Sequence, residues 1–532
     1  MKRNLLFLAL GLLAFMPLTS FCQSGGITAG KDIATVQTEY GKVRGYVRNG
    51  ISTFKGIPYA KAERFMAPEK PASWQGVRSS MTYGPVAPTD VTATTNDEFE
   101  FPFHHDWGFT NENCLNLNVW SKETSGKKPV MVWFHGGGFT AGSSVELPSY
   151  DGENLAKKDV VVVSVNHRLN ILGFLDMSAY GDKYKSSANV GLLDLVAALQ
   201  WVKENIAQFG GDPDNVTIFG QSGGGGKVTC LMYAPSAKGL FQKAIVESGS
   251  YLTGFTEPNL TQKVSAALLE ELGLQPNQAD SLQKVPYDKL YAAGKRALMK
   301  VQRTLKAENV PAFGLGWNPV HDGTFLPYQP GDAAGDALAK DVPLLVGSTK
   351  NEFTPFIPGS RGVSLDSAKG ILQKKYKDKT DAYMAAVLKA YPETVRPSDY
   401  IDIDVTFRPG AIRQANAKAV PGAAPVYMYL FTWQSPVLDT VFKAMHCMEL
   451  PFVFNNIQRC EEMTGGGKEA YTLADKMSNA WVSFAKTGNP NAKGLPTWPA
   501  YTVDSGSTMI FDNKCVIKAA PDKELLSIAT AK

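Results

Sequence analysis

Beyond its N-terminus the chain lacks long apolar runs, since no later segment approaches the ~18 apolar residues of a membrane span. It also lacks blocks of like charge, and the net charge of +4 is spread through 532 residues. A charged face for nucleic acid or anionic lipid is therefore not indicated. Proline- and serine-rich linkers and solenoid-type repeats are missing as well, so the sequence marks no domain boundary. We expect no nucleic-acid partner and no stable membrane association.

Cysteine is scarce, with six residues and no CxxC pair, which argues against a zinc ribbon. No metal site is predicted. One cysteine, Cys22, belongs to the N-terminal segment described next. The remaining number is odd, so at least one thiol must stay unpaired within the chain. These residues are Cys114, Cys230, Cys447, Cys460 and Cys515.

The N-terminus has the pattern of a signal peptide. A Lys-Arg pair precedes a continuous apolar run over residues 5–15. Small residues at positions −3 and −1 before Gln23 predict cleavage after Cys22. A lipoprotein acylated on Cys22 is disfavoured, because a bulky phenylalanine precedes that cysteine. We therefore expect residues 1–22 to be removed and the mature protein to be secreted or periplasmic.

Five short runs are apolar or β-branched at nearly every position. Strands that are apolar on both faces are typical of a parallel sheet covered by helices. The runs are PVMVWF (129–134), DVVVVSVN (159–166), NVTIF (215–219), KAIVES (243–248) and VPLLVGS (342–348). Upstream, residues 33–60 alternate in polarity around an Asn49-Gly50 turn, which predicts short antiparallel strands.

Helical periodicity separates these runs. Residues 192–211 repeat apolar side chains at helical spacing and end in a Gly-Gly pair, which is a C-cap signal. Residues 473–490 repeat the pattern. Strands that alternate with helices indicate an α/β fold. The mostly helical segments 262–310 and 365–420 are expected to leave the sheet and form a cap over its site.

The pentapeptide Gly220-Gln221-Ser222-Gly223-Gly224 matches G-x-S-x-G, the nucleophile elbow. Alone it is a weak signal in a chain with 49 glycines. Here it follows the predicted strand NVTIF and precedes a helix-like segment, as the motif requires. Its glycines remove Cβ atoms that would collide with the adjacent strand and helix. They also let the backbone N–H of Gly223 face the reacting centre.

A second glycine-rich turn, HGGGF (135–139), directly follows the strand PVMVWF. Taken alone, it could be an ordinary turn between a strand and a helix. Beside a nucleophile elbow, its unobstructed backbone N–H groups suit an oxyanion hole, whose donors stabilise developing negative charge. Loss of one such donor typically lowers turnover ~10²–10³-fold.

Only two of the six histidines, His321 and His446, come after Ser222. An α/β-hydrolase orders its triad as serine, acid, histidine. We favour His446 as the base, because it lies on a predicted loop before an apolar segment, whereas His321 lies in a predicted packed turn. For the acid, position favours Glu352 over Asp322 without excluding the latter. The serine would attack a carbonyl carbon, the histidine would move its proton, and the acid would orient the imidazole.

At this point the sequence resembles the type-B carboxylesterases, the family of the cholinesterases and the bacterial p-nitrobenzyl esterases. The resemblance covers nearly all of the mature chain. It implies an α/β-hydrolase fold in one large domain, residues 23–532, that needs no cofactor. The blocks that carry it are FKGIPYA (54–60), ENCLNLNVW (112–120), HGGGF (135–139), NHRLNILGFL (166–175), GLLDLVAALQWVKENIAQFGGDP (191–213), FGQSGGGG (219–226), VESGS (246–250), VGSTKNEF (346–353), HCMELPFVF (446–454) and WVSFAKTGNPN (481–491).

The resemblance also implies roles for single residues, with a small-molecule ester as the substrate. It assigns Glu352 as the triad acid, because STKNE aligns with the family's N-K-D-E stretch. It assigns Gly137, Gly138 and Gly223 as the oxyanion donors. Ser248 matches a serine near the triad acid in relatives, which implies a supporting role.

The chain departs from the family in charge and in cysteines. Many relatives have glutamate before the nucleophile, whereas this chain has Gln221, to which we give a supporting role. Cys114 matches a half-cystine position, but residues 83–90, where its partner would lie, contain no cysteine. That disulfide is therefore absent. Cys447 and Cys460 would close a short loop if they paired, and the sequence leaves this open.

The sequence thus predicts a secreted carboxylic-ester hydrolase. One alternative is hydrolysis of amides, thioesters or lactones by the same side chains, because leaving-group preference depends on pocket shape. Another is a non-catalytic binding protein on the same fold, which is disfavoured because such relatives typically lose the nucleophile. Aromatic residues such as Trp107 and Phe139 are expected in the core rather than in the pocket. The sequence carries no signal of oligomeric state.

The glutamine at position 221 generates a prediction. If the missing carboxylate makes the pocket less favourable to cations, Gln221→Glu should raise activity on a choline ester relative to its neutral isostere. Rates on the two esters, compared between the wild type and the variant, measure this. An unchanged ratio would reject the hypothesis.

Overall fold

The five apolar runs form the centre of the main sheet. A computed structural model describes residues 26–90, 100–251, 254–312, 314–356 and 362–531. In it, these runs become strands whose side chains are almost entirely buried. The predicted signal peptide, residues 1–22 with its Cys22, lies outside the described residues.

The described part of the chain contains fifteen strands. They are β1 Ile27–Thr28, β2 Thr35–Thr38, β3 Gly41–Arg44, β4 Tyr46–Arg48, β5 Ile51–Pro58, β6 Val77–Ser79, β7 Asn116–Ser121, β8 Lys128–Phe134, β9 Val161–Val165, β10 Gly211–Gln221, β11 Lys243–Glu247, β12 Leu344–Thr349, β13 Val426–Phe431, β14 Ser507–Phe511 and β15 Val516–Ala519.

Twelve strands form one sheet in the order β1-β4-β5-β7-β9-β8-β10-β11-β12-β13-β14-β15. The central strands from β9 to β14 run parallel. Antiparallel pairs flank them on both sides. Strands β2, β3 and β6 form a separate small sheet. The predicted α/β-hydrolase architecture, with a mostly parallel sheet, is confirmed.

Helices connect these strands, and none in the described ranges is both long and apolar enough to cross a lipid bilayer. Their bounds are α1 Glu153–Ala156, α2 Asn170–Phe174, α3 Val190–Asn205, α4 Gly223–Met232, α5 Pro258–Glu271, α6 Tyr287–Ala307, α7 Ala333–Ala339, α8 Leu365–Tyr376, α9 Thr380–Ala390, α10 Phe407–Lys418, α11 Leu450–Val453, α12 Glu461–Thr464, α13 Lys468–Thr487 and α14 Lys523–Ala529.

Two turns that the sequence predicts lie at the ends of regular elements. Asn49 and Gly50 both have positive φ, at 50° and 79°, and join β4 to β5 as a tight hairpin. Helix α3 passes into a 3-10 turn, Ile206–Phe209, and ends at Gly210 with φ 81°. The leucines and valines of α3 that face the sheet are buried. Burial of each such side chain contributes ~1.5–3 kcal/mol to the stability of the fold.

A buried ion pair anchors the loop after β9. The Arg168 guanidinium holds Asp194 of α3 through two side-chain hydrogen bonds, Nε–Oδ2 at 2.8 Å and Nη2–Oδ1 at 2.6 Å. Removing one partner of such a pair typically costs ~3–5 kcal/mol, because the other charge is left buried and unpaired. Two residues further along, the Asn170 N–H donates to Phe139 O at 2.8 Å. The anchored loop therefore also holds the glycine-rich turn after β8.

The two helical segments leave the sheet as predicted, α5 and α6 after β11, and α8 to α10 after β12. The expected cap over the site is only partly formed by them. In the described residues, the walls of the cavity at Ser222 come mostly from residues 103–107 and 136–150. These residues lie in the connections that follow β6 and β8. Phe407, at the start of α10, does reach His446, with ring centroids 5.2 Å apart.

The cysteines of the described residues are free thiols. Cys447 and Cys460 do not form the bridge that the sequence leaves open. Instead, Cys447 Sγ donates to Gln221 Oε1 at 3.3 Å. Cys114 is buried and unpaired, in agreement with the missing partner in residues 83–90.

Candidate active site

Ser222 stands at the turn between β10 and α4. Strand β10 ends at Gln221, Ser222 has φ 57° and ψ −124°, and α4 begins at Gly223. Residues with a Cβ rarely adopt such a backbone conformation, which costs ~1–3 kcal/mol. Two backbone hydrogen bonds hold it, from Ser222 N–H to Glu247 O at 2.8 Å and from Gly226 N–H to Ser222 O at 2.9 Å. The turn places Ser222 in the wall of a cavity at the carboxyl end of the sheet.

Glycines are needed here because α4 starts directly against the end of β8. A Cβ on Gly220 would lie 2.5 Å from the carbonyl carbon of Gly224. A Cβ on Gly224 would lie 2.0 Å from Phe134 O. Either contact is with backbone atoms, so a side chain at these positions would push the strand and the helix apart.

The HGGG turn brings two backbone donors to the same place. Gly137 and Gly138 have φ of 77° and 63°, which favours glycine. Among the described residues, neither N–H group donates a hydrogen bond to the protein. Gly223 lies directly against the turn, since a Cβ on it would be 2.4 Å from Gly138 N. The three predicted oxyanion donors therefore cluster beside Ser222.

His446 and Glu352 are joined at the neighbouring strand ends. His446 Nδ1 lies 2.5 Å from Glu352 Oε2, and the His446 N–H donates to Glu352 O at 3.0 Å. Both side chains are buried. With a carboxylate at Nδ1, that nitrogen carries the proton and Nε2 is the acceptor. The imidazole is thus oriented with Nε2 available as a base.

Glu352 is held in turn by a second set of bonds. Its Oε1 accepts hydrogen bonds from Ser248 Oγ at 2.7 Å and from Thr349 N–H at 2.8 Å. Ser248 and Glu352 both have positive φ, at 45° and 41°. The strained turns aim the hydroxyl and the carboxylate at each other. Ser248 thus occupies the supporting position that the resemblance implies.

Gln221 contacts the face of the His446 ring. Its Nε2 lies 3.4 Å from Nδ1 and 3.3 Å from Nε2 of the imidazole. A nitrogen nearly equidistant from both ring nitrogens stands over the ring, because in the ring plane it would collide with Cε1. The lone pair of His446 Nε2 thus stays free of the amide. Among the described residues, neither ring nitrogen is hydrogen-bonded to the Ser222 hydroxyl, and such bonds often tighten only with substrate bound.

The alternatives from the sequence lie elsewhere. His321 is bonded to Glu257 Oε1 at 3.2 Å and to Pro327 O at 3.2 Å. The Asp322 carboxylate accepts three backbone N–H groups of its own turn and the side-chain amide of Asn189. In the described chain, neither residue lines the cavity that holds Ser222. Geometry therefore favours the pair His446 and Glu352.

The cavity has a volume of about 500 Å³ and is rich in aromatic side chains. Trp107 belongs to this wall, so its expected place in the core is wrong. Phe139 is in the core, packed against Phe174 and Tyr251. The side chains that line the cavity besides the site residues are Asp90, Phe103, His105, Trp107, Thr140, Ala141, Glu146, Leu147, Tyr150, Phe353 and Cys447.

Two carboxyl groups near the site are less acidic than usual. Burial raises the pKa of Glu146 to about 7, although Tyr150 donates a hydrogen bond to it at 3.2 Å. Burial also raises the pKa of Glu449 well above its usual range, and the charges of Glu352 and Glu247 raise it further. Burial therefore disfavours a charge on Glu449. Glu352 is the carboxyl group in direct contact with the imidazole.

Sequence reasoning missed Glu146, Tyr150 and Lys227. The first two lie in an irregular connection with no periodic signal. Lys227 carried a usable signal, because it is a charged residue in a glycine run that opens a buried helix. Among the described residues, no cluster of three or more His, Cys, Asp or Glu side chains is arranged to hold a metal ion.

Comparisons with known proteins identify the family of the chain. A sequence profile described as the carboxylesterase family matches residues 32–527. The para-nitrobenzyl esterase of Bacillus subtilis (strain 168) is 39% identical over 502 residues, which cover 92% of this chain and 97% of that protein. The phenmedipham hydrolase of Pseudarthrobacter oxydans is 33% identical over 498 residues, which cover 89% of this chain and 94% of that protein.

Solved structures show the same likeness. An esterase from anaerobic Clostridium hathewayi, described as able to hydrolyse aliphatic aromatic polyesters, superposes with a TM-score of 0.83 at 38% identity. The match covers 94% of this chain and 98% of that one.

The bond from Ser248 to Glu352 generates a prediction. Ser248→Ala should slow phosphonylation of Ser222 by a fluorophosphonate about tenfold, because Glu352 Oε1 loses one of its two donors and a hydrogen bond to a charged group is worth ~1.5–3 kcal/mol. The matched control is Ser250→Ala, since Ser250 donates to Gln414 instead. Equal labelling rates in the two variants would contradict the supporting role.

Proposed function

Because the chain belongs to the carboxylesterase family, we propose that it hydrolyses carboxylic esters through a triad of Ser222, His446 and Glu352. The observation that carries this proposal is the 2.5 Å contact between His446 and Glu352, in a site whose cavity also contains the strained Ser222 turn. Buried, oriented charge of this kind is costly to hold and is typical of functional sites.

In the first half of the reaction, Ser222 Oγ attacks the ester carbonyl carbon while His446 Nε2 accepts its proton. Glu352 stabilises the imidazolium that forms. The carbonyl oxygen becomes an oxyanion. It accepts hydrogen bonds from the backbone N–H groups of Gly137, Gly138 and Gly223. The C–O bond then breaks, and the leaving alcohol takes the proton from the imidazolium.

In the second half, water replaces the alcohol. His446 Nε2 removes a proton from the water as its oxygen attacks the acyl carbon of the acyl-enzyme. A second oxyanion forms in the same donor cluster. When it collapses, the Ser222 oxygen leaves with the proton, and the carboxylic acid is released.

We further propose that the substrates are uncharged esters that carry an aromatic group. The cavity wall includes Phe103, Trp107, Tyr150 and Phe353, which offer flat apolar surfaces. Gln221 contributes no charge, and Glu146 is partly protonated near pH 7 because of its raised pKa. The names of two relatives, a nitrobenzyl esterase and an esterase of aromatic polyesters, point the same way. Amides, thioesters and lactones would use the same groups.

We also propose that the protein is secreted or periplasmic after removal of residues 1–22. The charged start, the apolar run and the small residues before Gln23 support this. N-terminal sequencing of the exported protein should begin at Gln23. A retained N-terminus in the cytosolic fraction would contradict the proposal.

The triad is tested with p-nitrophenyl esters from acetate to laurate, together with p-nitrophenyl benzoate. Ser222→Ala should lower kcat about 10⁴-fold or more, because the nucleophile acts with its base as a unit. His446→Gln should have a comparable effect. The matched control is His321→Gln, which should leave kcat within about twofold, because that ring lies outside the cavity.

A burst of p-nitrophenol equal to the enzyme concentration would reveal the acyl-enzyme. Activity that survives Ser222→Ala would overturn the proposed mechanism. Faster turnover of p-nitroanilides than of the matched esters would favour the amidase alternative.

A further inference from the structure

Lys227 lies on α4, five residues after Ser222, and is fully buried. Its Nζ donates to His135 O at 2.9 Å and lies 3.5 Å from Gly136 O. The ring of Phe139 faces the same ammonium group, with its centroid 5.9 Å away. All three neighbours belong to the HGGGF turn, so one lysine spans the gap between the helix after the nucleophile and the oxyanion turn.

Such a lysine is costly to bury. Its hydrogen-bond partners are backbone carbonyls rather than carboxylates, and an ammonium group loses strong hydration on burial. Burial lowers the pKa of Lys227 to about 7, although the field of Glu146 opposes the shift. A methionine would fill the same volume without this cost. The position therefore calls for an explanation beyond packing.

The carbonyl groups that Lys227 contacts suggest an explanation for its burial. The carbonyl of Gly136 and the N–H of Gly137 belong to the same peptide group. When Lys227 is protonated, its positive charge near that carbonyl polarises the N–H on the far side of the peptide group and strengthens it as a donor. The bond to His135 O fixes the start of the turn, where three consecutive glycines otherwise leave the backbone very flexible.

Backbone hydrogen bonds already hold the other end of the turn. Asn170 N–H donates to Phe139 O, and Ala141 N–H donates to Gly137 O at 3.0 Å. Lys227 holds the end of the turn that follows strand β8, through its hydrogen bond to His135 O. It also ties that end to α4, whose first residue is Gly223, the third predicted donor.

We propose that Lys227 is a positioning residue that fastens the turn of residues 135–139 to α4 and so sets where the Gly137 and Gly138 N–H groups stand relative to Ser222. The inference rests on the proposed function, since it concerns the oxyanion hole of that reaction. It assigns Lys227 no contact with the substrate.

The test is Lys227→Met, measured with a p-nitrophenyl ester and two inhibitors. An aryl trifluoromethyl ketone reports on the oxyanion hole, because its adduct with Ser222 carries the oxyanion. Benzyl alcohol, an aromatic alcohol that forms no oxyanion with Ser222, is used as the probe of ground-state binding. The matched control is Lys418→Met, because Lys418 is also a buried lysine whose Nζ donates to two backbone carbonyls, Lys340 O and Ala424 O.

Lys227→Met should lower kcat and the ketone affinity together, each about tenfold to a hundredfold, because misplaced donors lose transition-state stabilisation. KM and the alcohol affinity should change less than about threefold, and the melting temperature should be unchanged or higher, because an apolar side chain replaces a buried charge. Lys418→Met should leave both inhibitors and kcat within about twofold.

The proposal is overturned if Lys227→Met keeps kcat within twofold, or if both inhibitors weaken alike and the melting temperature falls. If the methionine variant does not fold, Lys227→Gln, which keeps a shorter donor, takes its place with the same readouts. Ser222→Ala distinguishes a failure of the proposed function from a failure of the proposed role of Lys227. Activity in that variant would refute the proposed function, whereas an inactive Ser222→Ala beside a normal Lys227→Met would refute only the role of Lys227.

Discussion

The candidate site depends on how closely helix α4 approaches the end of strand β8. A Cβ on Gly224 would sit 2.0 Å from Phe134 O, so the helix can take this position only with glycine in its first turn. The approach sets Gly223 against Gly138 and places Ser222 beside both. If the helix were displaced by the width of one side chain, the hydroxyl and the backbone donors could no longer contact the same carbonyl group. Displacements of ~1 Å can lower the reaction rate ~100-fold.

The same principle governs the carboxyl ends of the neighbouring strands. Ser222, Ser248 and Glu352 follow β10, β11 and β12, which are consecutive in the sheet, and all three have positive φ. Each residue costs ~1–3 kcal/mol in backbone strain. The buried parallel strands hold these turns in place, and the turns direct three polar side chains to one edge. Such sites are typical of α/β sheets, where ligands bind beyond the carboxyl ends of the strands.

Burial also distributes charge around the imidazole. Glu449 lies near Glu352, and burial together with the neighbouring carboxylates raises its pKa well above the usual range, which disfavours a charge on it. Gln221 places an amide over the His446 ring, and it accepts a hydrogen bond from Cys447. Glu352 is the carboxyl group in direct contact with His446, while Lys227, whose pKa burial lowers to about 7, carries part of a positive charge on the side of the oxyanion turn. A partial positive charge there suits a reaction in which negative charge moves onto the substrate oxygen.

The sequence by itself determined the features whose physics is local. Apolar runs predicted the parallel strands, the Asn49-Gly50 pair predicted a hairpin, and the glycines around Ser222 predicted a tight turn from strand to helix. These patterns are readable because each depends on neighbours within a few residues.

Only the tertiary structure decided the contacts between distant segments. It placed His446 rather than His321 against Glu352, left Cys447 and Cys460 apart, put Trp107 in the cavity wall, and set Lys227 beneath the oxyanion turn. The sequence favoured His446 and Glu352 by their order along the chain and by resemblance, but it could not show these contacts, because they depend on which strand ends meet in the sheet and on the space left between them.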